Sequence, residues 1–206
     1  MKGARPLTDN ECEMMIEQLG STRTGARDVA MFTLGVQTGL RISELLGLKI
    51  GDIYKSNSVV EYLAVKALKD GENRVIRIVQ RTSIAVHRWL NELHIAGYMR
   101  GSDYLFQSRT GANKPLSVQA AWAIIKRAAR SLELPGKVST HSMRKTFAGK
   151  AHAYFLNQCT EGGRPYDVIG ECQRALGHKQ IDSTMHYLSF TKDGTDRFVS
   201  DCFGNW

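Results

Sequence analysis

Apolar residues recur at helical spacing over most of this chain and alternate over one short stretch. In Leu7-Thr8-Asp9-Asn10-Glu11, Thr8 can cap a helix, and Glu11 follows three residues later as in a capping box. That helix is expected to run to Leu19, with Gly20 as its stop. A second helix is predicted over 24–37, where apolar spacing is near 3.6, and Gly39 breaks it. A short helix should follow from Arg41 to Leu46 and end at Gly47. Between 49 and 80 the period changes. Segments 59–65 (VVEYLAV) and 74–79 (RVIRIV) are β-branched and partly alternating, and a polar turn with Asp70-Gly71 separates them. This predicts a hairpin with a basic loop, plus a third short strand near Ile50–Ile53.

Helical spacing resumes at 82–96 and 117–132, around a loop punctuated by Gly111 and Pro115. After a break at Pro135-Gly136, helices fit 141–157, 165–175 and 181–188, with Asn157–Arg164 as a polar loop. The expected fold class is therefore mainly α with a small antiparallel β-sheet (α+β). No repeat, low-complexity tract or interior linker divides the chain. One domain over 1–206 is expected, with its core at 6–188 and a tail at 189–206.

Composition adds a partner. Lys+Arg of 28 against Asp+Glu of 20 gives a net charge of +8, which favours a polyanion, nucleic acid before membrane. Cys12, Cys159, Cys172 and Cys202 form no CxxC pair and fit no zinc spacing, so they read as reduced thiols. The first residues contain no apolar run suited to a signal peptide, and no apolar stretch is long enough to span a membrane. A cytoplasmic, nucleoid-associated protein is expected.

Three blocks carry candidate chemistry: TGLRISELLGL (38–48), THSMRKTFAGKA (140–151) and LGHKQIDSTMHYL (176–188). Singly, their residues have ordinary explanations. A tyrosine in an amphipathic helix is usually core or surface, an arginine usually a solvated charge or ion-pair member, and His141 or His178 can simply end or cap a helix. Jointly they suit attack on a phosphodiester. Guanidinium groups match phosphate oxygens bidentately, a histidine can carry a proton near neutrality, and a tyrosine can act as nucleophile once helped to lose its proton. His141 and Arg144 are three apart and share a helical face.

On these blocks the chain resembles the catalytic domain of tyrosine recombinases, the phage integrase family, over roughly Pro6 to Leu188. The resemblance implies that Arg41 and Arg144 clamp the scissile phosphate. His141 would be general base or acid at the tyrosine, and His178 would hydrogen-bond a phosphate oxygen. Tyr187 would form a 3′-phosphotyrosine link and release a 5′-hydroxyl. Lys69 in the hairpin turn would protonate the leaving oxygen, with Lys66 as runner-up. Glu44 resembles the acidic residue that supports the first arginine, although a solvated helix carboxylate fits the same position. No metal and no cofactor are implied. The implied activity is site-specific DNA recombination or integration of a mobile element through a phosphotyrosine intermediate; type IB topoisomerase-like relaxation or a DNA-binding regulator on the same scaffold are the alternatives.

Three departures from the family pattern stand out. Lys145 follows Arg144 where histidine is frequent. The stretch between Arg144 and His178 is long, which suggests an insertion around Asn157–Tyr166. The blocks begin so early that a short form lacking the N-terminal core-binding domain is expected. Helix 117–132 carries Lys126, Arg127 and Arg130, which with Lys145 are the expected DNA contacts; a solvated basic face beside Ala121, Ile124 and Ile125 is the plainer reading. The expected partner is double-stranded DNA with specific recombination sites. A tetramer is expected on DNA and a monomer without it, and the tail, with Phe198, Val199, Phe203 and Trp206, is expected to dock in trans.

Overall fold

The computed structural model describes residues 3–66, 73–108, 113–162, 167–180 and 184, with backbone alone for 159–162. Helix α1 (Asp9–Gly20) starts as its sequence predicts. Thr8 Oγ1 accepts the Glu11 N–H at 3.2 Å, and Glu11 Oε2 accepts the Thr8 N–H at 2.9 Å. Helix α2 (Gly25–Thr38) has consecutive buried residues Ala30, Met31 and Phe32, then Leu34, so it is covered on more than one side. Burying each large apolar side chain contributes about 1.5–3 kcal/mol, which makes α2 the central support of the fold.

Helix α3 (Ile42–Gly47) is followed by α4 (Ile50–Ile53), a single helical turn. The strand expected at 50–53 is therefore not formed. Ile50 and Ile53 are both buried at a spacing of three, which a helical turn satisfies and a strand does not. Asp52 Oδ2 accepts the Lys49 N–H at 2.7 Å and closes that turn. The extra strand pair lies just beyond it, where β1 (Tyr54–Lys55) meets β2 (Ser58–Val59) through Ser56 and Asn57, both at positive φ. The run 59–65 is thus divided: Val60 N–H turns back to the Ile53 carbonyl, and β3 (Tyr62–Val65) begins afresh.

Strand β3 pairs antiparallel with β4 (Arg74–Arg77), with Leu63 opposite Ile76 and Val65 opposite Arg74. Leu63 and Val65 are buried, so the face they share with Ile76 and Arg74 turns inward. The predicted hairpin is present; its loop, 67–72, lies outside the described residues.

Helix α5 (Gln80–Ile95) packs along α2, and α6 (Val118–Ser131) packs on α1 and α3. Helix α7 (Thr140–Gly162) lies against α2 and carries α8 (Val168–Leu176). The polar loop expected at 157–164 is mostly helix. Asn157 and Gln158 are exposed, and no glycine or proline interrupts the segment before Gly162, so polarity alone does not break the helix. Of the helix expected at 181–188, only Thr184 is described, and it is helical. Among the described residues no helix is long and apolar enough to cross a membrane.

Candidate active site

Segments distant in sequence meet beside the first turns of α7. Helix α2 is ended by Gly39 in the left-handed conformation, φ 60°. Glycine is required twice over, because a Cβ there would lie 2.4 Å from Phe147 Cδ1. The turn leads to Arg41, the N-cap of α3. Glu44 Oε2 accepts the Arg41 N–H at 2.8 Å, and Oε1 takes Arg41 Nη1 at 3.0 Å. Glu44 is buried, so the solvated-carboxylate reading does not hold; it anchors Arg41, whose side chain stays 34% exposed.

Arg144 is buried. It donates to the Gly39 carbonyl, to the Leu176 carbonyl at 2.9 Å and to His178 Nε2 at 2.7 Å. One guanidinium thus ties the end of α2 to the end of α8. Helix α8 closes with Gly177 at φ 63°, and the Gly177 and His178 N–H groups return to the carbonyls of Arg174 and Gln173 at 3.0 and 3.1 Å. This cap turns His178 into the interior.

Guanidinium cannot accept a hydrogen bond, so His178 Nε2 accepts and the assigned ring proton sits on Nδ1, which donates to Thr184 Oγ1 at 3.0 Å. Burial foremost, then the charges of Arg144, Arg41 and Arg74, push the His178 pKa down to about 3. The ring is neutral at any physiological pH. Donating to a phosphate oxygen, the role implied by resemblance, needs the proton on Nε2 instead. Thr184 makes that exchange easy, since its hydroxyl can accept from Nδ1–H or donate to bare Nδ1.

His141, the second residue of α7, is exposed. Partial burial, then the charges of Lys145 and Arg144, lower its pKa, favouring the neutral form that accepts a proton. It lines a groove of about 740 Å³ with Lys145, Lys137, Val118, Gln119 and Trp122. Helix α6 supplies the opposite wall. Lys126 Nζ sits 4.2 Å from the Trp122 ring centroid, and Arg127 and Arg130 are exposed on the same helix. Ala121 and Ile125 hold the other side of α6 in the core. Lys126, Arg127 and Arg130 line a neighbouring recess that shares Trp122 and Ala123 with the groove of His141.

Four of the six expected catalytic residues are described: Arg41, Arg144 and His178 converge, and His141 stands one turn before Arg144. Lys69 and Tyr187 lie outside the described residues. Two residues of this cluster escaped sequence reasoning. Arg74 donates to the Leu176 carbonyl and lies 3.6 Å from Glu44 Oε2. Its signal was available: it occupies an inward position of a two-sided strand, where an apolar residue is the norm. Thr184 offered only its place six residues after His178. Among the described residues, no group of three or more His, Cys, Asp and Glu side chains is arranged to hold a metal ion.

A profile of the phage integrase family matches residues 5–193. The chain is 29% identical over 191 residues to the tyrosine recombinase XerD of Corynebacterium glutamicum, covering 91% of this chain and 57% of that protein. It is 29% identical over 178 residues to the probable integrase/recombinase YoeC of Bacillus subtilis, covering 86% and 85% respectively. Its fold matches the XerH site-specific recombinase bound to a palindromic difH substrate in a post-cleavage complex, with a TM-score of 0.68 and 23% identity, over 95% of this chain and 52% of that one. The chain thus spans a little over half of the XerD relative and most of YoeC.

Proposed function

The chain belongs to the phage integrase family, and on that premise we propose that it cleaves and rejoins double-stranded DNA at specific sites through a 3′-phosphotyrosine intermediate. The observation that carries this reading is the convergence of Arg41, Arg144 and His178, brought together through contacts spanning 105 and 32 positions. The carboxylate beside them, Glu44, is already engaged by Arg41 and lies close to Arg74. Such a cluster suits a phosphodiester, whose charge rises by one as it becomes five-coordinate.

The Tyr187 oxygen attacks phosphorus and its proton passes to neutral His141. The bond from phosphorus to the 5′ oxygen breaks, and Lys69 gives that oxygen a proton, leaving a 5′-hydroxyl. Arg41, Arg144 and His178 hold the non-bridging oxygens. Rejoining reverses these steps with the 5′-hydroxyl of another strand. The phosphotyrosine conserves the bond energy, so no ATP is consumed, and the cations around the phosphate take the charge-stabilising role a metal would otherwise fill.

Lys126, Arg127 and Arg130 on α6 and Lys145 on α7 would contact the DNA backbone. Residues 1–206 act as one catalytic domain on the nucleoid, and the tail at 189–206 docks on a neighbouring protomer in a DNA-bound tetramer. A groove of about 750 Å³ with Ile16, Phe32, Val36, Phe147 and Phe155 in its walls is suited to the apolar residues of that tail.

A nicked suicide duplex tests the reading. Covalent protein–DNA adduct is expected with the unsubstituted protein in EDTA and none with Tyr187→Phe. Adduct persisting in that variant would move the nucleophile elsewhere, and loss of adduct in EDTA would sink the metal-free route. Inversion or excision of two-site plasmids, as against relaxation alone, distinguishes recombination from topoisomerase action.

A further inference from the structure

Arg74 is the buried cation that the mechanism above leaves without a task. It begins β4, and its side chain is nine-tenths buried. Desolvation lowers its pKa, the Glu44 charge opposes that, and Arg41 adds to it. Nη1 donates to the Leu176 carbonyl, the same oxygen that accepts from Arg144 Nη2 at 2.9 Å. Nη2 lies 3.6 Å from Glu44 Oε2, too long for a hydrogen bond, and among the described residues neither Nε nor Nη2 has a hydrogen-bond partner. A guanidinium with idle buried donors beside a carboxylate is placed to take more of that carboxylate than it now holds.

Glu44 is therefore shared. Its Oε1 engages Arg41 Nη1 at 3.0 Å, while Oε2 faces both the Arg41 N–H and Arg74. If Glu44 faced Arg41 alone, the pair would be neutral and Arg41 would have little charge left for a phosphate. Arg41 and Arg74 face this one carboxylate, and Arg144 joins Arg74 at the Leu176 carbonyl, so the cluster carries an excess of two positive charges. That excess equals the two negative charges of a phosphodiester under attack by a phenolate.

We propose that Arg74 is a positioning residue of this site: it takes up Glu44 as phosphate draws Arg41 Nη1 away, and with Arg144 it grips the Leu176 carbonyl that orients the Gly177–His178 turn. The inference rests on the reading of the site as a phosphate clamp. Arg74 touches no phosphate itself. It acts through Glu44 on Arg41 and through Leu176 on His178. Its effect should fall on the rate of cleavage rather than on DNA affinity, which exposed cations at the rim supply.

The test uses the full chain and nicked duplexes enriched from a pool with randomised arms by covalent capture on the unsubstituted protein. Adduct formation is timed at saturating duplex, and affinity is measured separately. Arg74→Met is expected to slow adduct formation about a hundredfold, the scale of a small misplacement at a reacting centre, while Kd changes less than about threefold. Adding Glu44→Gln to Arg74→Met should recover about tenfold, because it removes the carboxylate that neutralises Arg41. A merely structural role predicts the reverse, a double variant slower than the single one. Arg74→Lys keeps the charge but lacks the fork that reaches Glu44 and Leu176 together; it should fold normally and cleave about tenfold slower.

A rate for Arg74→Met or Arg74→Lys near that of the unsubstituted protein overturns the proposal. So does a double variant no faster than Arg74→Met, or a loss confined to affinity. Where Arg74→Met does not fold, the Arg74→Lys rate decides. Arg144→Met separates this idea from its premise. If that variant cleaves normally, the clamp reading itself falls; if it is inactive while both Arg74 variants are fast, only the role of Arg74 falls.

Discussion

Lowering the pH from 8 to 5 should cost the folded chain about 2 kcal/mol through His178 alone. Burial and then the charges of Arg144, Arg41 and Arg74 hold its folded pKa at about 3, whereas an unfolded histidine titrates near ~6.5. The unfolded chain thus gains a proton as pH falls through ~6.5, and the folded chain does not. Stability from this group is fully present above that value and is lost on acidification. The loss is complete only below pH 3, where it reaches roughly 5 kcal/mol. At pH 5 the folded ring is still neutral, so the loss there depends almost wholly on the unfolded value. Urea unfolding at both pH values, for the unsubstituted chain and for His178→Gln, measures it. Glutamine keeps an acceptor for Arg144 and does not titrate. The unsubstituted chain should lose about 2 kcal/mol more than the variant, because carboxylates and the other histidines contribute alike to both. Equal losses, within about 0.5 kcal/mol, would show that His178 is charged or solvated in the fold and would refute its assignment as a neutral acceptor.

Further outcomes follow from the same geometry. Thr184→Val should slow single-turnover adduct formation by about tenfold or more, because the His178 tautomer loses its partner, and Thr184→Ser should restore most of the rate. Gly39→Ala should lower stability by about 2 kcal/mol or more in urea unfolding, since a Cβ would meet Phe147 at 2.4 Å and φ is 60°. Arg127→Gln and Arg130→Gln should each flatten the dependence of log DNA affinity on log salt by about 1, with the cleavage rate at saturating DNA unchanged. A slope equal to that of the unsubstituted chain would remove either residue from the DNA interface.

Much of the fold was legible because its signals are local. Thr8 and Glu11 satisfy each other within one turn, Gly39 ends α2 by its own backbone freedom, and the alternating runs on either side of Asp70-Gly71 pair as β3 and β4. The misreadings share a cause. Ile50–Ile53 looked like strand because β-branched residues favour strands, but two buried contacts three residues apart select a helical turn. Residues 157–162 looked like loop because they are polar, yet polarity sets which residues face solvent and leaves the helical hydrogen bonds intact.

The candidate site divides the same way. By itself the sequence determined which chemical groups are present and roughly where each local element begins and ends. It nominated Arg41, His141, Arg144 and His178 from their blocks. Only the tertiary structure decided their partners and charge states. Arg144 reaches back to Gly39 and forward to Leu176, and Arg74 joins them from a strand whose local pattern names no partner. Whether His178 is charged is set by desolvation and by three cations from other segments, and whether Glu44 is solvated is set by what covers it. Coulomb and desolvation energies depend on distance in space, and that distance is fixed only when the chain has packed.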